Sequence, residues 1–150
     1  MIDRLWAPTP ACCTPSDGPP PTLLLPSQPQ SAAHARAFAR EFIGYHAPGV
    51  TATHVDDVAL VVSELVTNSY RYGTEPDDSI QVVLDSDGTR TRIEVHDPVR
   101  RLPRHRPLSV DRDHGRGRGL FILDAICGGM WGVEERPFGK AVWAEILWNS

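Results

Sequence analysis

The chain has 150 residues, 41% of them hydrophobic, which suits one domain around one core. A formal charge of −4 argues against a nucleic-acid binder by bulk charge. The three cysteines, Cys12 beside Cys13 and Cys127 in an apolar run, form neither a disulfide framework nor a zinc site and fit a reducing cytoplasm.

Eight of the fourteen prolines precede Gln30, so residues 1–20 are expected to be a disordered arm and residues 21–150 the folded domain. The opening Met1-Ile2-Asp3-Arg4 leads into proline rather than a signal-peptide core, and no apolar run approaches a membrane span. Thr22 to Leu25 predicts a short edge strand. Ser31 suits an N-cap for a helix over Ala32 to Tyr45, with Phe38 and Phe42 one turn apart and Pro48-Gly49 as its stop. A second helix is expected from an N-cap at Thr53, with Asp56 and Asp57 near the positive end of the helix dipole and Gly73 as its end. Val55, Val58, Val62, Leu65, Val66 and Ser69 repeat at helical spacing and form its core face. Asp57, Glu64, Asn68 and Arg71 fall on a separate polar stripe.

Ile80 to Leu84 and Thr91 to Asp97 predict two strands around an Asp85 to Gly88 turn. Period two puts Asp97 on the face of Ile93 and Val95, opposite Arg92, Glu94 and His96. A carboxylate on the core side of a strand needs a partner. Pro98 to His114 mixes proline and arginine without an apolar period, which marks a long and functional loop. Nine of the fifteen basic residues lie between Arg90 and Arg118, all arginine, a stretch that can face a phosphate, an acidic partner or water. Gly115-Arg116-Gly117-Arg118-Gly119 then leads into Leu120 to Cys127, nearly all apolar and predicted as a buried helix that Gly128-Gly129 breaks. Met130 to Glu135 and Lys140 to Trp148 form a last hairpin around Pro137-Phe138-Gly139. This order predicts an α+β two-layer sandwich: helices on one face of a mixed, mostly antiparallel sheet.

Three constellations could carry chemistry. Glu64 and Asn68, at i and i+4 with Arg71 beyond, can reach one ligand: the carboxylate to orient or deprotonate a hydroxyl, the carboxamide oxygen to meet Mg²⁺. Their bland reading is a solvated helix face. Asp97 can accept a hydrogen bond from an exocyclic amine such as that of adenine, or it can be a turn acid beside Pro98. Glycines 115, 117 and 119 before a helix let backbone N–H groups approach phosphate, with Arg116 and Arg118 adding charge; the alternative is a hinge with solvated arginines. This is neither a Walker A loop, since no Gly-Lys-Ser/Thr follows, nor a Rossmann fingerprint, since no strand precedes it. The six histidines lack ligand spacing for a metal site. Ser63 and Ser69 read as plain helix residues, and Trp131, Trp143 and Trp148 as core or edge cover.

The order of these pieces resembles one superfamily. Glu64-Leu-Val-Thr-Asn68-Ser-Tyr-Arg-Tyr-Gly73 is similar to the N-box of GHKL ATPases, the group of histidine kinases and Hsp90 with the Bergerat-type fold. Asp97 stands where that family carries its adenine-binding aspartate, and Gly117-Arg-Gly-Leu120 resembles its second glycine box. The ending Trp131-Gly-Val133, Gly139-Lys140, Val142-Trp143 resembles the last hairpin of the anti-sigma-factor serine kinase branch. The resemblance runs from about Thr22 to Leu147 and departs at two points. The first glycine box is replaced by Asp97-Pro98-Val99-Arg100-Arg101, and a threonine often found beside the adenine is Ala141, so the purine would lose a hydrogen bond or use water.

The resemblance implies an ATP·Mg²⁺-binding regulator that phosphorylates a serine on an anti-sigma-factor antagonist and otherwise holds a sigma factor. Glu64 would be the general base and Asn68 the Mg²⁺ ligand. Arg71 and Gly73 would border the phosphates, and Asp97 would bond the adenine amine. Arg116, Gly117, Arg118, Gly119 and Leu120 would line the phosphate side, under a lid running from Pro98 to Gly115. No nucleic acid or membrane is implied, and a homodimer stays open. Two other readings remain beside it: a nucleotide-sensing module without turnover, which the missing first glycine box favours, and a protein whose arginine-rich loop docks an acidic partner without any nucleotide.

Overall fold

The computed structural model describes residues 18–98 and 117–148, with the backbone alone for residues 117–120. The Pro-rich arm with Cys12 and Cys13, Arg116 and almost all of the expected lid lie outside the described residues.

Five strands form one sheet: β1 (Thr22–Pro26), β2 (Ser79–Ser86), β3 (Arg90–Asp97), β4 (Trp131–Arg136) and β5 (Gly139–Leu147). Their order is β1-β2-β3-β5-β4. Every pairing among the described strands is antiparallel, so the sheet is antiparallel throughout rather than mixed. The helices are α1 (Ser31–His46), α2 (Ala52–Asn68), which continues into a π-helical turn (Ser69–Gly73), and α3 (Gly117–Cys127).

Strand alternation sorts the sheet into two faces. Ile80, Val82, Leu84, Ile93, Val95, Ala144 and Ile146 are buried and pack into one core with Phe38, Phe42 and Ile43 of α1 and Val58, Val62, Leu65 and Val66 of α2. The other face carries paired charges. Arg92 meets Glu94 and Glu145, each at 2.9 Å, and stacks on Trp143 with its guanidinium carbon 4.7 Å from the ring centroid.

Both predicted N-caps move. The cap of α1 is Gln30, and Ser31 lies inside the helix, its hydroxyl donating to the Pro26 carbonyl at 2.6 Å. The cap of α2 is Thr51, whose hydroxyl accepts from the His54 N–H, so Asp56 and Asp57 fall beyond the first turn. Two threonines two residues apart offer the same capping chemistry.

Helix α3 corrects the expectation of a buried helix. It begins at Gly117, so the glycines open the helix itself. Leu123 and Cys127 are buried, while Phe121 is 71% exposed. Burial pushes the Cys127 thiol up to about 11, so it stays protonated as a core residue.

Candidate functional site

The site lies where the end of α2, the end of β3 and the start of β5 meet. Asp97 is the last residue of β3 and is buried, on the core face that strand alternation assigns to it. The partner it needs comes from two elements. Ser69, first residue of the π-helical turn, donates its hydroxyl to Oδ2 at 2.9 Å. Lys140 of β5 donates its ammonium to Oδ2 at 2.9 Å and to Oδ1 at 3.2 Å. Lys140 stands directly opposite Asp97 in the β3–β5 register, so the two side chains share a face.

Two glycines let the chain close around this carboxylate. A methyl group on Gly73 would overlap Asp97 Oδ2, and one on Gly139 would overlap the Asp97 carbonyl. The open side of Gly73 faces the Asp97 carboxylate and the Lys140 ammonium. The widened π-helical turn brings Gly73 here, because five residues no longer follow the 3.6 period of α2. Arg71, in the same turn, is exposed. Thr74 closes the turn, donating to the Ser69 carbonyl at 3.0 Å and sharing a hydrogen bond with Ser27 at 2.6 Å.

Burial raises the Asp97 carboxyl above the ordinary carboxylate range; Lys140 and the Ser69 hydroxyl oppose that shift without cancelling it. A buried acid whose charged form burial disfavours, with an amine donor on it, is the kind of group that functional sites collect.

Asn68 and Asp97 line one cavity of about 50 Å³, together with Leu65, Tyr72, Leu123 and Lys140. Glu64 is half-buried one turn before Asn68 on α2. Leu123 brings α3 to the same cavity, so the helix opened by Gly117 and Gly119 borders it. Arg116 and the side chains of Arg118 and Leu120 lie outside the described residues. A wider opening of about 510 Å³ touches Asp97 and Lys140 from the opposite sheet face, beside Gln81, His96 and Arg136; Asn68 does not line it.

For Mg²⁺ the donor set can be tested. Among the described residues no group of three His, Cys, Asp or Glu side chains could cage a metal. Mg²⁺ bound through substrate phosphates and waters needs only one or two protein oxygens. Asn68 in the wall of the cavity fits that demand.

Sequence reasoning missed Lys140 and the role of Ser69. Lys140 was legible in principle, since it shares the inward phase of Val142, Ala144 and Ile146. Ala141, expected beside the adenine, pairs with His96 and so lies on the other face. Trp131 was read as cover, and its indole N–H donates to Asp124 at 2.8 Å. No described helix is long and apolar enough to cross a membrane.

Comparison with known proteins adds a family. The sequence model of the histidine kinase-like ATPase domain matches residues 25–145. No curated protein matches the chain in sequence. Among solved structures, the RsbU and RsbW domains of Rv1364c from Mycobacterium tuberculosis superpose with a TM-score of 0.56 at 20% identity, over 85% of this chain and 32% of that one. The chain therefore spans about a third of the length of that mycobacterial structure. The histidine kinase domain of a blue-light-activated histidine kinase from Erythrobacter litoralis superposes with a TM-score of 0.51 at 15% identity, over 97% of this chain and 70% of that one. Likeness at such identities shows the shared α+β fold. With the family model covering most of its length, the chain belongs to the histidine kinase-like ATPase domain family of the GHKL superfamily, whose domains bind ATP.

Proposed function

We propose that the protein is a cytoplasmic ATP·Mg²⁺-dependent serine kinase of the anti-sigma-factor type, which phosphorylates an anti-sigma-factor antagonist and otherwise holds a sigma factor. The observation that carries this reading is the convergence of Asn68 from α2 and Asp97 from β3 on one cavity that α3 also borders. Family membership and the likeness to an RsbW domain support it.

In this reading Asp97 accepts the adenine amine and so selects the base. Asn68 gives its carboxamide oxygen to Mg²⁺, which when bound with ATP neutralises charge on the phosphates. Gly117 and Gly119 at the start of α3 turn backbone N–H groups and the positive helix end toward the phosphates, with Arg116 and Arg118 adding charge and Leu120 lining the phosphate side. Gly73 and Arg71 belong to the turn that shapes the pocket. Glu64 takes the proton from a serine hydroxyl of the partner as its oxygen attacks the γ-phosphorus. The new O–P bond forms as the bond to the β–γ bridging oxygen breaks, and ADP leaves.

Glu64→Ala is expected to keep ATP affinity and to slow phosphate transfer to an antagonist serine by about 10²–10⁴-fold, the weight of a positioned general base. Radiolabelled ATP with candidate antagonists measures it. Normal transfer by the variant would remove Glu64 from the role. The absent first glycine box after Asp97 favours a second reading, a nucleotide-sensing module that sequesters its partner. Binding of ATP by the wild type without transfer to any antagonist would establish that reading instead.

A further inference from the structure

Lys140 sits on the atoms that an incoming purine amine would need. Its ammonium donates to both oxygens of Asp97, and Ser69 takes a third place. An ionised carboxylate offers about four acceptor positions, so capacity for one more donor is left. Space is not. The cavity shared by Asn68, Lys140 and Asp97 holds about 50 Å³, against roughly 300–1,000 Å³ for ordinary small-molecule sites. Asp97 cannot make room, because its side chain is 2% exposed and held by Ser69, with Gly73 and Gly139 packed against it. The Lys140 side chain is 28% exposed and flexible, so it can leave toward solvent while the sheet stays intact.

We propose that Lys140 is an internal competitor for the nucleotide base. In the free protein its ammonium stands in the space beside Asp97 that the base amine would occupy, and it must swing out when adenine enters, which sets the affinity of the site for ATP. The inference rests on the reading of Asp97 as the base-binding carboxylate. The free energy of ATP binding is then what remains after the Lys140–Asp97 pair has been broken. A weaker pair tightens ATP binding and a stronger pair weakens it. A lysine that instead donated to the base would give the reverse, since its loss would weaken binding.

Calorimetric titration with ATP·Mg²⁺ tests this on the wild type, Lys140→Ala, Lys140→Arg and Asp97→Asn. Titrating near pH 8, far above the ordinary carboxylate pKa of about 3.9, favours the ionised form of Asp97 against the upward push of burial. Lys140→Ala is expected to bind ATP about threefold to fivefold tighter, the weight of one partly exposed ion pair. Lys140→Arg can grip the carboxylate with two parallel N–H groups, and is expected to bind about threefold more weakly. Opposite signs for two substitutions of one residue are not what a merely structural role produces. Unchanged or weaker binding by Lys140→Ala, or tighter binding by Lys140→Arg, overturns the proposal. If Lys140→Ala does not fold, the sign of the Lys140→Arg effect decides alone. The two readings fail separately. Undiminished ATP binding by Asp97→Asn defeats the base-binding reading. Lost binding in that variant, with both Lys140 variants unchanged, defeats only the competitor.

Discussion

Helix α2 lies along β3 with a buried polar contact at each end, and the two ends are built from different chemistry. At the start of both elements His54 Nε2 meets Thr91 Oγ1 at 2.8 Å, Thr91 meets Ser86 at 3.0 Å, and the Trp148 ring stands edge-on to His54 at 6.3 Å. At the far end Ser69 meets Asp97, with Lys140 completing the cluster. The lengths agree: fifteen residues of helix rise about 22 Å and six steps of strand about 20 Å. The first end is made of neutral groups and is covered. The second keeps a carboxylate buried, held by an ammonium, on the wall of a cavity. A buried ion pair contributes little net stability compared with apolar packing. A fold needing only a latch would use the neutral design at both ends, so the charged end is the one to explain by function.

The largest effect should come from Asp97→Asn, which breaks the comparison at its charged end. The amide turns an N–H donor toward a ligand amine and leaves Lys140 without its charge partner. A loss of about 10²-fold in ATP affinity is expected, the weight of a charged hydrogen bond plus an unpaired donor. Calorimetry reads it directly, and unaltered affinity would move the base elsewhere. A smaller effect is expected from Gly73→Ala. The added methyl must push the Asp97 carboxylate aside, so stability should fall by about 1–3 kcal/mol, as for overpacking, with ATP affinity down about tenfold. Gly44→Ala in α1 is the control, because nothing lies within 4 Å of its added methyl. Urea denaturation of the pair tests whether contact with Asp97, rather than glycine as such, is what Gly73 supplies.

The two ends were also unequally legible in the sequence. Alternation alone placed Ile93, Val95 and Asp97 on one inward face, and all three are buried. The same reading stated that Asp97 needs a partner but could not name it. Lys140 becomes its neighbour only because β5 pairs with β3 while β4 moves to the sheet edge, a long-range choice without a local signature. Ser69 was placed on the right helix face, and its hydroxyl was passed over because no nearby base is visible in sequence. The π-helical turn was invisible for a related reason. Arg71 and Gly73 continue the helical spacing in sequence, and nothing local marks where the backbone widens. For α3, a nearly all-apolar run fixes no outward face, so the exposure of Phe121 had no sequence signal.

The smallest predicted effect sharpens the comparison through pH, because the two ends titrate with opposite sign. Burial lowers the pKa of His54, outweighing the nearby Leu147 carbonyl and the Asp57 charge, and Nδ1 finds no hydrogen-bond partner of good geometry. A histidine held neutral in the fold takes up its proton on unfolding. Stability from this end is therefore complete above the unfolded pKa of about 6.5 and is lost as pH falls below it, by at most about 1.4 kcal/mol per pH unit for one linked proton. Asp97 works the other way, since its raised pKa makes the folded state bind a proton more tightly. Its contribution is full below the unfolded pKa of about 3.9 and declines as pH rises through the raised value. His54→Gln can still donate to Thr91 but cannot titrate. Its melting temperature should stay flatter than that of the wild type between about pH 7 and pH 5, with ATP affinity unchanged because the cavity lies at the other end of α2. An unaltered slope in the variant would assign the acid sensitivity to groups outside the latch. A change in ATP affinity would mean that the two ends of α2 are coupled, and the division between latch and site would have to be redrawn.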